Sequence, residues 1–270
     1  MFVVKQIFTD SPLKNYTYIV YSSKTGEAVC IDPYSAKQVI DYLNSNSLTL
    51  KTILNTHEHA DHTSGNLELK EYCSCTVLGH SGAKGKIPGL DDILREDDLV
   101  FDSDGDSLVS WETPGHSLCH LSFVWKNPEK NLGIFTGDTV FNAGVGNCYR
   151  GGDVGILYKT IRNRFETLSG DVLLFPGHEY LENNLQFAKH IEPENRKRDS
   201  FLENPNKCKQ GNPDFYLVTN FEIEREINPF FRRNSPSLHK KLGELSFGNP
   251  RSSYDDEFIF TELRKYRDSW

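Results

Sequence analysis

The chain has 270 residues, of which 37% are hydrophobic and 25% are charged, and its formal net charge is −8 at pH 7. This length suffices for one large or two modest globular domains, each with a substantial core. The negative charge disfavours a nucleic-acid partner, because such partners are bound chiefly by Lys and Arg contacts to phosphates. No apolar run approaches the roughly 18 residues of a membrane span, so we expect no membrane partner either.

The N-terminal residues and the cysteines indicate where the protein works. Residues 1–10 lack the basic start of a secretion signal and reach Asp10 before a sufficient apolar stretch. The six cysteines do not have the spacing that small disulfide-rich secreted domains use. We therefore expect a cytoplasmic protein.

The N-terminal half predicts short strands, with helical patterns between the later ones. The turn Ser23–Gly26 predicts a β-hairpin, and residues 67–72 have the apolar spacing of a helix. This organisation is typical of a layered α/β fold. Apolar runs of strand length occupy residues 2–8, 16–21, 28–31 and 51–56.

Helices are predicted to dominate the C-terminal part of the chain. Apolar residues spaced by three or four predict helices at residues 157–168 and 185–191, and an amphipathic helix at residues 255–270. We place a domain boundary near residue 180. Residues 1–180 would form the catalytic domain, and residues 181–270 a mostly helical substrate-binding domain that closes over it.

The most informative segment directly follows the predicted strand at residues 51–56. His57, His59, Asp61 and His62 stand within six residues of one another, on the loop that leads into the next helix. Imidazole and carboxylate ligands suit zinc, iron or manganese, and no matching set of thiolates indicates a closed structural zinc site. In an extended backbone the first two histidines point the same way, while the other two residues lie a turn further on. The segment therefore predicts two metal ions, with further ligands from distant sequence.

Three later segments each run from an apolar stretch into a glycine-containing turn that carries one metal-type side chain. These side chains are His116, Asp138 and His178. Loops held by a sheet are where functional groups usually gather, so we expect all three at the metal site. His80 and His120 lack such neighbours in the sequence and are predicted to be structural.

The ordered motifs HxHxDH, TPGH, GDT and GHEY, which begin at residues 57, 113, 137 and 177, resemble those of the metallo-β-lactamase superfamily. Their details resemble one branch of it, the glyoxalase II type hydroxyacylglutathione hydrolases. The resemblance implies an α/β fold, an αββα sandwich of two mixed sheets, with a C-terminal helical domain. True β-lactamases of the superfamily typically carry a cysteine where Asp138 stands, which argues against that activity here.

The resemblance also implies two divalent metal ions, zinc in the first place and iron or manganese as alternatives. Asp138 would bridge the two ions, and Asp61 would orient the attacking hydroxide, which makes both catalytic residues. Glu58 stands where relatives commonly have another histidine, and we do not expect it to be a ligand. The first ion would be held by His57, His59 and His116, and the second by Asp61, His62 and His178.

A pair of bound metal ions is typical of a hydrolytic enzyme. One zinc ion lowers the pKa of bound water from about 15.7 to about 7, and a pair about 3.5–4 Å apart holds a hydroxide between its members. The same ions polarise a substrate carbonyl and stabilise the oxyanion that forms from it. The site would therefore need neither a serine nor a cysteine nucleophile.

The substrate implied by the resemblance is S-(2-hydroxyacyl)glutathione, for example lactoylglutathione, cleaved to a 2-hydroxy acid and glutathione. Relatives bind the glutathione part with a lysine, two tyrosines and a basic pair on a terminal helix. Here Tyr149 and Tyr180 match the tyrosines, and Asn147 replaces the lysine. Arg264 and Arg267, three residues apart, match the basic pair and can contact one carboxylate together.

Other activities fit the same motifs. A persulfide dioxygenase resembles this chain and uses a single iron held by two histidines and an aspartate, but the complete second ligand set counts against it. Hydrolysis of a lactone or a phosphodiester remains a further alternative, because the nucleophile does not depend on the leaving group. A catalytically silent binding module would require broken ligands. We expect a monomer or a small homo-oligomer.

Overall fold

The computed structural model describes residues 2–9, 11–203, 217–245 and 255–270. Within these residues, two mixed six-stranded sheets form the centre of the fold. The first sheet contains β1 (Phe2–Phe8), β2 (Tyr16–Ser22), β3 (Glu27–Ile31), β4 (Thr49–Leu54), β5 (Thr76–His80) and β6 (Asp92–Leu94), side by side in that order.

The second sheet contains β7 (Leu99–Ser103), β8 (Asp106–Glu112), β9 (Leu121–Lys126), β10 (Asn131–Gly137), β13 (Leu173–Pro176) and β14 (Thr219–Asn220). Its spatial order is β14-β13-β10-β9-β8-β7. Between β10 and β13 in the chain, β11 (Val140–Phe141) and β12 (Gly144–Val145) form a separate hairpin. Each large sheet combines parallel and antiparallel pairs, which confirms the prediction of two mixed sheets.

Helices flank both sheets. Beside the first sheet lie α1 (Ala36–Ser45), α2 (Ala60–Thr63) and α3 (Asn66–Cys73). The remaining helices are α4 (Val154–Thr160), which a π-helical turn at Ile161–Phe165 continues, α5 (Leu181–Ile191), α6 (Arg196–Glu203), α7 (Phe221–Ile227), α8 (Pro236–Leu245) and α9 (Asp256–Ser269). No described helix has both the length and the apolar character needed to cross a membrane.

The alternation of side chains along each strand sorts the core into layers. In β9, Leu121, Phe123 and Trp125 belong to the cluster between the sheets, whereas Val124 faces the outer helices. Neighbouring residues of β10 divide in the same way, with Phe135 inside and Ile134 outside. The outer side of the first sheet packs against α1 and α3 in a third cluster. This is the αββα sandwich that the resemblance implied.

Strand direction brings the loops with the predicted ligands to one edge. β8 and β10 both run antiparallel to β9, and β13 runs parallel to β10, so the loops after β8, β10 and β13 leave the second sheet on the same side. In the first sheet β3 and β4 are parallel, so the loops that follow them also share an edge. The ligands come from these loops.

The C-terminal part packs on the sandwich over a wide area. Leu181 and Leu185 of α5 join the cluster between the sheets, and Phe260 and Leu263 of α9 contact the cluster around Leu157 of α4. The strand β14 and the helix α6 were not predicted from the sequence. The division into residues 1–180 and 181–270 stays a prediction.

A buried carboxyl group connects α7 to the β11–β12 hairpin. Glu224 accepts hydrogen bonds from Thr219 Oγ1 at 2.6 Å, from Asn228 Nδ2 at 3.0 Å and from the backbone N–H of Ala143 at 2.9 Å. Ala143 has a left-handed backbone with φ of 57° at the tip of the hairpin. Burial outweighs these donors and raises the pKa of Glu224 from its usual 4.5 to about 7.

We expect this carboxyl to make stability depend on pH, since its pKa is higher in the folded chain than in the unfolded chain. Its contribution is fully present below about pH 4.5 and is lost as the pH rises through about 7. Chemical unfolding should show that the unfolding free energy of the wild type, minus that of Glu224→Gln, falls by about 2–3 kcal/mol between about pH 5 and about pH 8. A difference that is constant over this range would contradict the assignment.

Candidate metal centre

Three histidines converge on one point beside the loop that follows β4. His57 Nε2 lies 2.9 Å from His59 Nδ1, and His116 Nε2 lies 3.1 Å from the same atom. His57 and His116 are buried, and His59 is half-buried. The spacing of these nitrogens matches a set of ligands around one ion.

A second set lies next to the first. His62 Nε2 and His178 Nε2 are 3.2 Å apart, and Asp61 Oδ2 is 3.4 Å from each of them. The short helix α2 separates the two sets within the HxHxDH motif, because Asp61 and His62 lie on its first turn while His59 precedes it.

Asp138 lies between the two sets, at the end of β10. Its Oδ1 is 3.3 Å from both His62 Nε2 and His178 Nε2, and its Oδ2 is 3.5 Å from His116 Nε2. The backbone N–H of Asp138 donates to His120 Nε2 at 3.1 Å, which holds the main chain of Asp138 in this position. Gly177 allows the close approach, since a Cβ there would lie 2.5 Å from Asp138 Oδ1.

The outer nitrogen of each ligand histidine has an oxygen partner. Backbone carbonyls can only accept hydrogen bonds, so the ring nitrogens that contact them carry the protons. The hydroxyl of Thr56 donates to Asp32, so His57 Nδ1 carries a proton as well. The contacts are His57 Nδ1 to Thr56 Oγ1 at 3.0 Å, His59 Nε2 to Arg150 O at 3.2 Å, His62 Nδ1 to Asp32 Oδ2 at 2.9 Å, His116 Nδ1 to Asn147 O at 2.6 Å and His178 Nδ1 to Leu13 O at 2.8 Å.

These tautomers decide what the inner nitrogens can hold. A neutral imidazole with its outer nitrogen protonated turns a lone pair toward the centre of its set. Several lone pairs about 3 Å apart repel one another unless a cation lies among them. Asp138 Oδ1 is buried and accepts no hydrogen bond from the described residues, although two ring nitrogens lie close to it. The residues therefore fit two bound cations, and the donor set of imidazoles and carboxylates suits divalent metals.

Electrostatics favours neutral imidazoles in the first ligand set, whereas in the second set burial opposes a charge on His62 but Asp138 and Asp32 raise the pKa of His62 well above its usual value. Burial, aided by His62, lowers the pKa of His57 well below its usual value, and burial also lowers the pKa of His116. Burial opposes ionisation of Asp138, but His178 and His62 hold its pKa well below the usual value. Two neutral imidazoles and an ionised carboxylate are the forms that bind a metal ion.

Sequence reasoning missed two residues that orient the ligands. Asp32 accepts from Thr56 N–H at 2.7 Å, from the Thr56 hydroxyl at 2.6 Å and from His62 Nδ1 at 2.9 Å. Asn15 Nδ2 donates to Asp61 Oδ2 at 2.8 Å. The sequence did contain a signal for Asp32. It follows the buried strand β3 and precedes a proline, so it is a further polar side chain at the end of a strand. Asn15 had no such signal, since only the tertiary fold brings it to the site.

The residues predicted not to be ligands lie beside the site. Glu58 accepts from Ser117 Oγ at 2.7 Å and lies 3.5 Å from Lys86 Nζ, so its carboxylate is paired. His80 Nδ1 accepts the backbone N–H of Gly82. His120 is buried against His57 and supports Asp138 through the backbone contact described above.

The five residues predicted to bind substrate line one small cavity of about 210 Å³. Tyr180 connects it to the metal ligands, since its ring stacks on His178 with centroids 4.8 Å apart. Typical pockets for drug-sized ligands are about 300–1,000 Å³, so this cavity has room for one end of a larger molecule. The lining residues are Phe141, Val145, Asn147, Tyr149, Tyr180, Asn184, Arg264, Arg267 and Asp268.

The two arginines of the cavity have different surroundings. Arg264 is buried, donates to Asp268 Oδ1 from both Nε and Nη2, and donates from Nη1 to the carbonyl oxygen of Val145. Arg267 is half-buried between the rings of Phe187 and Trp270, at 5.4 Å from each centroid. Of these two arginines, Arg267 is therefore the one that retains N–H groups for hydrogen bonds to a ligand.

Comparison with known families agrees with this geometry. The model of the metallo-β-lactamase superfamily matches residues 12–178, and the model described as "Hydroxyacylglutathione hydrolase C-terminus" matches residues 179–270. A protein of Nitrosococcus oceani named hydroxyacylglutathione hydrolase is 37% identical over 99% of this chain and all of its own length. A Polaromonas protein of the same name is 34% identical over the same shares.

The chain belongs to the hydroxyacylglutathione hydrolase family of the metallo-β-lactamase superfamily. Solved structures agree on the fold. The ETHE1 protein from Myxococcus xanthus has a TM-score of 0.64 at 24% identity, over 99% of both chains. The BLEG-1 B3 metallo-β-lactamase has the same TM-score at 22% identity, over 85% of this chain and 99% of its own. The metallo-β-lactamase family match and the His and Asp clusters of this chain together support the binding of divalent metal.

We expect Asp32→Asn to weaken metal binding without removing a ligand. The amide would direct N–H groups at donors that now meet an oxygen, so His62 would lose its orientation. Loss of such an outer contact typically costs about 10- to 100-fold in metal affinity. Competition of the metal-free variant with a chromophoric chelator would measure this. Asp41→Asn on α1 is the matched control, and equal dissociation constants for both variants would contradict the role of Asp32.

Proposed function

We propose that this chain is a binuclear metal-dependent thioester hydrolase that cleaves S-(2-hydroxyacyl)glutathione. Water is consumed, the C–S bond breaks, and the products are a 2-hydroxy acid and glutathione. The observation that carries the proposal is the pair of ligand sets with Asp138 between them, next to a cavity that contains two arginines and two tyrosines. The names of the Nitrosococcus and Polaromonas relatives support the substrate.

The residues that would hold the metals are those of the two sets. Zinc is the first choice, and iron and manganese are compatible with the same donors. Once bound, two divalent ions lower the pKa of a water molecule and polarise the thioester carbonyl, so that hydrolysis proceeds near neutral pH. The first ion is assigned to His57, His59 and His116, the second to Asp61, His62 and His178, and both to Asp138.

Two carboxylates would orient the reacting groups. Asp138 directs one oxygen at each ligand set, and its backbone N–H, which donates to His120, holds its main chain beside both sets. Asp61 Oδ2 accepts a hydrogen bond from Asn15 and faces the second set, so it can accept a further hydrogen bond from the attacking water. Burial opposes the ionisation of Asp61, but His62 and Asn15 hold the pKa of Asp61 below its usual value. The carboxylate is therefore ionised and accepts hydrogen bonds.

The cavity would bind the glutathione part. Burial, followed by the charges of Asp138 and Asp61, raises the pKa of Tyr180, so its hydroxyl stays protonated and can donate to the substrate. Arg267 supplies positive charge for a carboxylate, and aromatic rings on both sides hold its guanidinium. Tyr149 is 67% exposed at the mouth of the cavity and could close over a bound ligand. Asn147 offers a neutral amide where a lysine is common in the family.

The mononuclear iron alternative receives less support. A dioxygenase of that type needs only two histidines and an aspartate, whereas this chain brings three further ligands together at a second point, Asp61, His62 and His178. A cytoplasmic location and the two-domain division of the chain remain predictions from the sequence.

The proposal predicts that metal-loaded protein hydrolyses lactoylglutathione and that removal of the metals with a chelator abolishes turnover. Release of free thiol, followed with a thiol-reactive dye, is the measurement. Asp138→Ala should lower kcat by about a thousandfold or more, because it disturbs both ions. Asp41→Asn should retain wild-type turnover, since Asp41 lies on the exposed side of α1.

A second substrate tests the glutathione part separately. The lactoyl thioester of N-acetylcysteamine has the same scissile bond but none of the carboxylates of glutathione. We expect its kcat/KM to be about 100-fold lower, since remote binding energy is lost. Efficient hydrolysis of unrelated esters without turnover of lactoylglutathione would reject the substrate assignment.

A further inference from the structure

Arg264 was predicted to bind substrate, but its hydrogen bonds are directed elsewhere. A guanidinium has five N–H groups. Nε and Nη2 of Arg264 donate to Asp268 Oδ1 at 3.0 and 2.7 Å, and Nη1 donates to the carbonyl oxygens of Val145 and Gly146 at 2.8 and 3.3 Å. Four of the five N–H groups are thus directed at the chain itself. The guanidinium also lies 5.5 Å from the ring centroid of Phe230.

The carbonyls that Arg264 binds belong to the segment that holds a metal ligand. The next residue, Asn147, accepts the hydrogen bond from His116 Nδ1 at 2.6 Å. This contact gives His116 the tautomer whose lone pair points at the first ligand set. Displacement of residues 145–147 would therefore rotate or release His116.

The same segment packs against the backbone of Asp138. A Cβ on Gly146 would lie 1.9 Å from the backbone oxygen of Asp138 and 3.1 Å from His116 Nδ1. No side chain other than hydrogen fits there. The backbone of the segment thus separates the base of the cavity from two metal ligands, with no space for adjustment.

Helix α9, which carries Arg264, is anchored in the hydrophobic core. Ile259, Phe260 and Leu263, which precede Arg264 on α9, are buried in the cluster around α4. The helix is therefore held by its core contacts, and Asp268, one turn further on, fixes the direction of the guanidinium. The segment is held on one side by its pairing with β11 and by the hydrogen bond from the Gly146 N–H to Thr139 O, and on the other side by the Arg264 guanidinium of the anchored helix α9.

We propose that Arg264 is a positioning residue that holds residues 145–147 in place for the metal ligand His116. The inference rests on the proposed metal centre. In this account α9 has two roles: it lines the cavity, and through Arg264 it holds the segment that orients the ligand His116.

Metal affinity separates this role from direct substrate binding. Arg264→Ala should weaken the binding of one of the two ions by about 10- to 100-fold, as expected when an outer support of a ligand is lost, and should leave the other within about threefold. Even at saturating metal, its kcat should fall more than its KM rises. Chelator competition on metal-free protein and steady-state kinetics with lactoylglutathione give these values.

Three variants of the same helix serve as controls. Arg267→Ala should raise KM by about tenfold while both metal dissociation constants and kcat stay at wild-type values. Lys265→Ala, at an exposed position between the two arginines, should match the wild type in every measurement. Arg264→Lys should recover part of the lost metal affinity, because an ammonium can reach one carbonyl but cannot also bind Asp268 as the fork does.

The outcomes are distinguishable. If Arg264→Ala binds both ions as the wild type does and only its KM rises, the positioning role is wrong and Arg264 is a substrate residue. Should this variant fail to fold by circular dichroism, Asp268→Asn takes its place, since it frees the guanidinium. Unchanged metal binding in Asp268→Asn would equally overturn the inference. Wild-type protein that binds two ions but does not cleave lactoylglutathione would reject only the proposed function.

Discussion

The constraint on which the site depends is the repulsion between the lone pairs of the ligand histidines and carboxylates, which face one another across each ligand set. Each ligand histidine donates its outer N–H to a fixed oxygen, so in the neutral ring the inner nitrogen presents its lone pair to the neighbouring ligands. Such an arrangement stores unfavourable electrostatic energy until cations enter. Buried hydrogen bonds within the ligand loops, such as those that Asp32 accepts from Thr56, hold the ligands together despite this repulsion. Asp138 Oδ1 accepts no hydrogen bond from the part of the chain that the structure describes, and it therefore also favours a bound cation.

The fold brings these loops together at one edge of the two sheets. Both sheets contribute strands whose ends lie at one edge, and the packing of alternating side chains between the sheets fixes their relative height. The helices after residue 180 then complete the site. They add aromatic and cationic side chains to the cavity, and α9 reaches the segment behind His116 through Arg264. The candidate metal centre and the cavity therefore share the same hydrogen-bonded segment, residues 145–147.

The ligands could be predicted from sequence because metal chemistry restricts residue type and spacing. HxHxDH is short and local, and His116, Asp138 and His178 each follow a strand and a glycine, so the pattern is visible without coordinates. The outer partners are different. Three are backbone carbonyls, which carry no sequence signal, and Asn15 reaches Asp61 across 46 positions of the chain. The role of Arg264 was also hidden, since only the fold reveals that Asp268 and residues 145–146 occupy its donors.

The central claim is that two cations occupy adjacent sets that share one carboxylate. X-ray absorption spectroscopy of the fully active, metal-loaded protein tests this most directly, since it detects a neighbouring metal atom. The account predicts two ions per chain, mixed nitrogen and oxygen ligation, and a metal–metal vector of about 3.5–4 Å. Full activity with a single ion per chain, and no metal neighbour in the spectrum, would contradict it.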